Sequence, residues 1–515
     1  MERKIAPLLE VNQWVGTWDE AAWGNNRPKP PATFYVAAIS LKTLRRLSGV
    51  QPRTTEDRRA ESKVAGYQRA HDEDRLSKIG RYIEYGFPLS TERGLAPTEH
   101  RELINPGWLP TSILINIIGV NEPRFRKGKS RTVDAKDLVK IVSNGGLKVL
   151  EYSDTEDVGT DKLHPLEIVD GQHRLLAADQ LELPDDYQVP VVFFDNLPLS
   201  WQAYLFWVIN VEPKRINTSL AFDLYPELRD QDWLKRGEAV KIYKEHRSQE
   251  LVEVLWRNPA SPWKDRIELF GKRVDGHVSN AAAIRSLMAT FVRTWAKSVD
   301  PKDTEEFSRL GGLFGSIAGD GARYVIRWNR PEQAAFLIFC WLAVREAVES
   351  TKADWKEKLG SGINTSGIDL ARHAFEGHYT LLATDQGFRA ICFGFNAISQ
   401  VVFDKIGLTD IEGVDEESEP TEESVLKSLK RFEDHRAVSR FVRSVATAII
   451  SGVDWRTSAA PKISNDDKIK QAQYRGSSGY KELNKATLKA AKKSLDETVR
   501  GAAEKVLEIQ GWTDD

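Results

Sequence analysis

Ile168-Val169-Asp170-Gly171-Gln172-His173-Arg174-Leu175-Leu176-Ala177-Ala178 is the stretch on which the reading of this chain turns. Leu166 to Val169, apolar except for Glu167, predicts a largely buried strand. Asp-Gly breaks it, and Leu175 to Leu181 predicts a helix. A carboxylate, an amide, an imidazole and a guanidinium therefore fall within five consecutive positions between strand and helix. Asp170 is expected to cap the helix, Gly171 to make the turn, and the next amides to serve as donors at the helix start. Unpaired N–H groups and the helix dipole both favour an anion there, and Arg174 adds a charged fork suited to phosphate. The same pattern is also that of an ordinary capped turn, so spacing alone leaves both readings open.

Outward from the corner, Thr33–Ile39, Ser112–Ile118 and Val189–Phe194 predict further strands, and Leu41–Leu47 a short helix. Gly66-Tyr67-Gln68-Arg69 leads into a helix over Asp72–Tyr85, with Leu76, Ile79, Tyr82 and Ile83 at helical spacing and Arg69 and Arg75 at its entry. Leu147–Tyr152 and Leu166–Val169 bracket a polar excursion and are expected to pair. The alternation of strands and helices reads as α/β over roughly residues 30–196. Ser200 is expected to cap an aromatic-rich helix that reaches Ile209. Beyond it, either Asn217-Thr218-Ser219 merely cap the next helix, or Asn210, Lys214 and Arg215 form a second arm over the corner. The densest basic cluster is Arg124-Phe125-Arg126-Lys127-Gly128-Lys129-Ser130-Arg131. An aromatic among cations suits a loop that grips a nucleic-acid backbone, and it equally suits a solvated hairpin tip.

At 515 residues the chain exceeds what one hydrophobic core supports, so more than one domain is expected. With 41% apolar and 29% charged residues the composition is that of a soluble globular protein. Ala334–Val344 is the longest apolar run and is too short to span a bilayer. Cys340 and Cys392, the two cysteines, sit in apolar runs and read as buried thiols. With no signal-peptide core after Met1, the expected compartment is the cytoplasm. A net charge of −2 argues against a protein that coats nucleic acid indiscriminately, while leaving room for a local basic groove.

The expected organisation is a Trp- and Pro-rich arm over 1–30, an α/β domain over 31–230, a helical domain over 231–408, an acidic linker over 409–424 and a helical segment over 425–515. In the last, Leu488, Ala491, Leu495, Val499, Ala502, Val506 and Ile509 form one stripe, with Gly511 as stop and Gly476–Gly479 as a polar hinge before it. Other chemistries fail on spacing. Gly128-Lys129-Ser130 lacks the first glycine of a P-loop, His373 and His378 lack cysteine partners for zinc, and neither a nucleophile elbow nor a dinucleotide fingerprint occurs. Gly311–Gly321 is glycine-rich but has no lysine and no preceding strand, so it reads as a connector.

The Asp170-Gly171-Gln172-His173-Arg174 string resembles the signature of the DGQHR-domain family, whose best-known relative is the DndB component of DNA phosphorothioation systems. Gly66–Arg69 with Arg75, Ile79, Tyr82 and Ile83, the strand over Ile113–Ile117, and Asn210–Leu220 are similar to other segments of that family. The corner also resembles the Asp-Gly-Gln-Gln-Arg of GmrSD-like restriction proteins and, more distantly, the phosphate-binding motif of ParB and sulfiredoxin folds. The resemblance implies a ParB/sulfiredoxin-like α/β domain followed by a helical region. It also implies a nucleoside triphosphate ligand (ATP the first choice, with Mg²⁺), hydrolysis of it, and action on DNA beside other proteins of a modification, restriction or phage-defence system. Self-association is left open. Asp170, His173 and Arg174 would be catalytic, with Asp170 also the metal ligand. Gly171, Gln172, Arg69, Arg75, Lys214 and Arg215 would hold the nucleotide, and Arg124, Arg126, Lys127, Lys129 and Arg131 would meet DNA. A non-catalytic DNA-binding regulator of its own operon and a GmrSD-like nuclease are the alternatives.

Overall fold

The computed structural model describes residues 3–13, 29–49, 73–92, 94–126, 129–153, 162–210, 222, 225, 241–269, 274, 276–293, 310–314, 326, 328–362, 369–411, 413 and 419–512. The chain divides into two compact units, Met1–Arg215 and Ile216–Asp515.

In chain order the first unit contains β1 (Arg3–Asn12), β2 (Thr33–Ser40), α1 (Leu41–Leu47), β3 (Ser48–Gly49), α2 (Glu73–Tyr85) and β4 (Ile113–Ile117). There follow β5 (Arg124–Arg126), β6 (Lys129–Arg131), β7 (Lys140–Asn144), β8 (Leu147–Ser153), β9 (Leu166–Asp170), α3 (Gln172–Leu176), β10 (Gln188–Asp195) and α4 (Leu199–Asn210). Eight strands form one mixed sheet in the order β3-β9-β4-β10-β2-β1-β8-β7, and β5 and β6 form a separate two-stranded ribbon. The β10–β4 and β3–β9 pairs are parallel; the other pairs of the large sheet are antiparallel. The α/β expectation holds at this level.

Two local expectations fail. Arg3–Asn12 is a strand and not part of an irregular arm. Its Ala6 and Leu8 face the core while Ile5 and Leu9 are exposed, a one-sided pattern that Arg3, Lys4 and Glu10 obscure in the sequence. Leu147–Tyr152 does not pair with Leu166–Val169. β8 lies between β1 and β7, and β9 between β3 and β4. The two strands lie at opposite ends of the sheet, each next to an edge strand, and β9 is the more buried of the two.

The second unit is helical: α5 (Lys241–Arg257), α6 (Asn280–Ala289), α7 (Arg330–Ser350), α8 (Asp354–Gly362), α9 (Leu370–Glu376), α10 (Asp385–Val402), α11 (Glu422–Asp434), α12 (Arg436–Gly452), α13 (Asn465–Ala472), α14 (Gly476–Ala491) and α15 (Glu497–Ile509). Helix α7 is apolar around most of its circumference because α11 and α12 both pack on it. Its Trp341 meets Trp263 edge-on and stacks on Phe388, each with ring centroids 5.0–5.3 Å from a neighbour. One core runs from Phe222 to Leu507, so the helices on either side of the expected acidic linker share it. Residues 412 and 414–418 of that linker lie outside the described residues. Gly476–Gly479 opens α14 in place of a hinge, and the last stripe is two helices, not one. Asp496 restarts the chain by accepting from the Thr498 and Val499 amides, which leaves Leu495 98% exposed. Both cysteines are buried, and burial pushes both thiols up. Among the described residues no helix is long and apolar enough to cross a membrane.

Candidate functional site

The Asp170 corner lies at the end of β9, next to a register shift. Leu114 of β4 pairs with Asp170, but Ile115 pairs with Ile168, so β9 carries an extra residue one step before the site. Such bulges bend a strand and re-aim the residues beyond them. Gly171 then takes φ +93°, and a Cβ placed there would lie 3.0 Å from Arg174 Nη2 and 3.2 Å from Ile113 Cγ1. Both the backbone and the space call for glycine.

Contrary to expectation, Asp170 does not cap the helix. Gly171 holds the cap position without a side-chain bond, and α3 has only five residues before a 3-10 turn at Ala177–Gln180. The dipole argument for an anion accordingly loses its basis, since so short a helix aligns few peptide units. Asp170 instead takes Arg174 Nη2 on Oδ2 at 3.0 Å and Asn210 Nδ2 on Oδ1 at 3.2 Å. Arg174 Nη1 donates to the Thr111 carbonyl at 2.6 Å and also to its hydroxyl. Burial pulls the Arg174 pKa down, Asp170 opposes this, and Arg75 lowers it further. Arg75 and Arg174 are thus near enough for their charges to oppose each other.

The supports are traceable. Helix α2 carries Arg75 and packs on α3 and its 3-10 extension. The segment before β4 is held from two sides: Tyr82 OH of α2 donates to Trp108 O at 3.1 Å, and Tyr187 OH, just before β10, to Gly107 O at 3.3 Å. A Cβ at Gly107 would sit 2.0 Å from Tyr82 O, so only glycine permits that approach. This fixes Thr111, which no local signal in the sequence marks. Gln172 Oε1 is buried with no hydrogen-bond partner among the described residues, an acceptor suited to a ligand hydroxyl or a water. His173 follows it in the first turn of α3.

Arg124 is the chief correction. Expected on a nucleic-acid surface, it is 7% exposed and bonded through Nε and Nη2 to Glu167, itself 5% exposed. Glu167 also accepts from Asn116 Nδ2 at 3.2 Å and Gln202 Nε2 at 3.0 Å. Asn116 Oδ1 takes the Leu197 amide at 2.6 Å, and Gln202 Nε2 is shared with Leu197 O. A buried cation needs such partners, and the network ties ribbon, β9, β4 and α4 together. Register places Arg126 opposite Lys129 and Arg124 opposite Arg131, whose side chain is partly exposed. Lys127, Arg69, Lys214 and Arg215 lie outside the described residues.

Comparison of the chain with protein-family models, curated proteins and solved structures gave no match. The site's chemistry therefore rests on its own geometry.

Proposed function

We propose that the Asp170–Arg174 corner binds the phosphates of a nucleoside triphosphate, and that the chain is an NTP-hydrolysing accessory factor of a DNA-modification or phage-defence system with a ParB/sulfiredoxin-like first domain. One observation carries the reading. Three bonds, to Thr111 and Asp170, fix the Arg174 guanidinium, and a guanidinium has five N–H donors. Two donors remain, among the described residues, on a rigid, partly desolvated cation beside Arg75. That is the arrangement a phosphate oxygen completes. His173 would hydrogen-bond a phosphate oxygen or relay a proton, and Asp170 would orient the attacking water. A divalent ion arriving with the triphosphate would find Asp170 as the corner's carboxylate, in competition with Arg174 and Asn210. Among the described residues no three His, Cys, Asp or Glu side chains gather as a metal site.

Phosphate release and binding of a fluorescent ATP analogue, with and without DNA, test this. Asp170→Ala is expected to abolish turnover, and Arg174→Ala to abolish both turnover and binding. Turnover at the parent level in both variants overturns the assignment. A second reading, a DNA-binding regulator without hydrolysis, draws on the separate β5–β6 ribbon, since a two-stranded ribbon fits a DNA major groove. It expects salt-dependent operator binding in a gel shift that nucleotide leaves unchanged.

A further inference from the structure

Helix α14 differs from other helices of its unit in how it places charge. On α5, α7, α8 and α11 an exposed cation has a carboxylate one turn away: Lys241 with Glu245, Arg345 with Glu349, Lys358 with Asp354 and Lys430 with Asp434. On α14, Lys481, Lys485 and Lys489 follow one another at that same interval, and Lys492 at the C-cap continues the row. The four fall within about 80° of one another around the helix and span about 16 Å along it. They lie opposite Leu483, Thr487 and Ala491, which are buried. Lys481 and Lys492 are exposed, and Lys485 and Lys489 are half-buried. Lys493 beside them makes five lysines against one carboxylate, Glu482, over Gly476–Lys493. Among the described residues Lys481, Lys485 and Lys492 have no ion pair. Lysines one turn apart repel each other, so the row costs the helix stability unless an anion meets it.

A cavity of about 420 Å³ opens beside the C-terminal half of the row. Lys489 and Lys492 line it from α14, and Glu504 and Lys505 from α15. Lys505 donates to Glu508 at 3.2 Å, so the α14 wall is basic and the α15 wall is not. Trp512 lines the same cavity and is held there. Its amide donates to Leu507 O at 2.9 Å, and its ring packs on Phe393 of α10 with centroids 5.9 Å apart. Cations at a regular interval, with an aromatic ring beside them, fit a chain of regularly spaced anions that carries flat rings of its own. We propose that α14 is a track for the phosphate backbone of a single-stranded nucleic acid, with Trp512 a platform on which a base stacks. A single strand fits better than a duplex because only one wall is basic, and a second strand would meet Glu504. A flat lipid surface fits less well, since the Trp512 ring is half-buried in a cavity. The track supplies the nucleic-acid contact that the proposed function calls for, and it stands whether or not the Asp170 corner binds nucleotide.

Fluorescence anisotropy of a labelled single strand of about 16 nucleotides, titrated with the full chain over a range of salt concentrations, reads the track. Four neutralised phosphates give log affinity a slope of about −2.8 on log salt, at about 0.7 for each single-strand contact. Lys485→Gln combined with Lys489→Gln is expected to flatten that slope by about 1.4 and to weaken binding by about tenfold or more at low salt. Lys427→Gln combined with Lys468→Gln removes the same charge from exposed positions elsewhere on the unit and is expected to change neither. Trp512→Ala is expected to weaken binding several-fold at an unchanged slope. Arg174→Ala is expected to bind the strand as the parent does, so failure of the corner and failure of the track are told apart. Equal loss in the two double variants, or an unchanged slope without Lys485 and Lys489, overturns the proposal. So does parent-level binding by Trp512→Ala, or tighter binding of the same oligonucleotide as a duplex. Binding to phosphatidylserine vesicles with none to the oligonucleotide overturns it in favour of a membrane surface.

Discussion

Strand β9 carries two carboxylates three positions apart, and each has an arginine, yet the two pairs do opposite things. Glu167 is saturated by Arg124, Asn116 and Gln202 in a site closed to water. Asp170 is shared between Arg174 and Asn210, and both members of its ion pair are 18% exposed. The first pair is a joint that holds four elements together. The second has donors to spare and faces the outside. Residue type does not separate them; what does is how many hydrogen-bonding groups remain after the fold has taken its share.

The comparison can be broken at several points. The largest effect is expected from Glu167→Ala, which strands a buried guanidinium: a loss of about 3–5 kcal/mol in urea denaturation. A loss below about 1 kcal/mol would place this pair with ordinary surface ion pairs. Gly171→Ala forces a left-handed residue and pushes on Arg174, so about 1–2 kcal/mol of stability should go. Nucleotide affinity should fall with it by more than tenfold, and unchanged affinity would separate the glycine from the site. Arg174→Lys keeps the charge but loses the fork to Thr111. We expect unfolding to shift by about 1 kcal/mol while nucleotide binding drops sharply, and binding that survived would mean charge alone suffices. Asn210→Ala is the smallest change, within about 0.5 kcal/mol for an exposed residue. Its value lies in the kinetics: turnover that rises would show Asn210 restraining Asp170, and turnover that falls would show it orienting Asp170.

The corner was legible because its local rules are strong. An apolar run broken by Asp170-Gly171 can do little but end a strand, and Gly171 does take a left-handed turn. The buried network was not read, although its signal was present. Asn116 interrupts Ile113–Ile118, Glu167 interrupts Leu166–Val169, and Gln202 interrupts the aromatic-rich Trp201–Trp207, each a polar residue in a largely apolar run. Isolated polar residues of this kind need one another once buried, and here they meet. Arg124 was misassigned because a run of like charges resembles a solvated surface, and only tertiary structure shows which member turns inward. Thr111 contributes its carbonyl and its hydroxyl, and a single threonine ahead of a strand is too ordinary to announce that role. Leu495 misled in the opposite sense: a continuous helical stripe passed straight through a break that Asp496 imposes.

Helix α4 is fastened to β9 at two places, Gln202 on Glu167 and Asn210 on Asp170. Eight residues of helix rise about 12 Å, and three residues of strand cover about 10 Å, so the two spans nearly coincide. The helix is thereby a gauge laid along the strand. Adding one residue between Gln202 and Asn210 would swing the latter by about 100° and leave Asp170 without its second partner, though no residue of the corner itself had been touched. Insertions that a surface connection would absorb should be intolerable in this stretch, because its length is a dimension of the site.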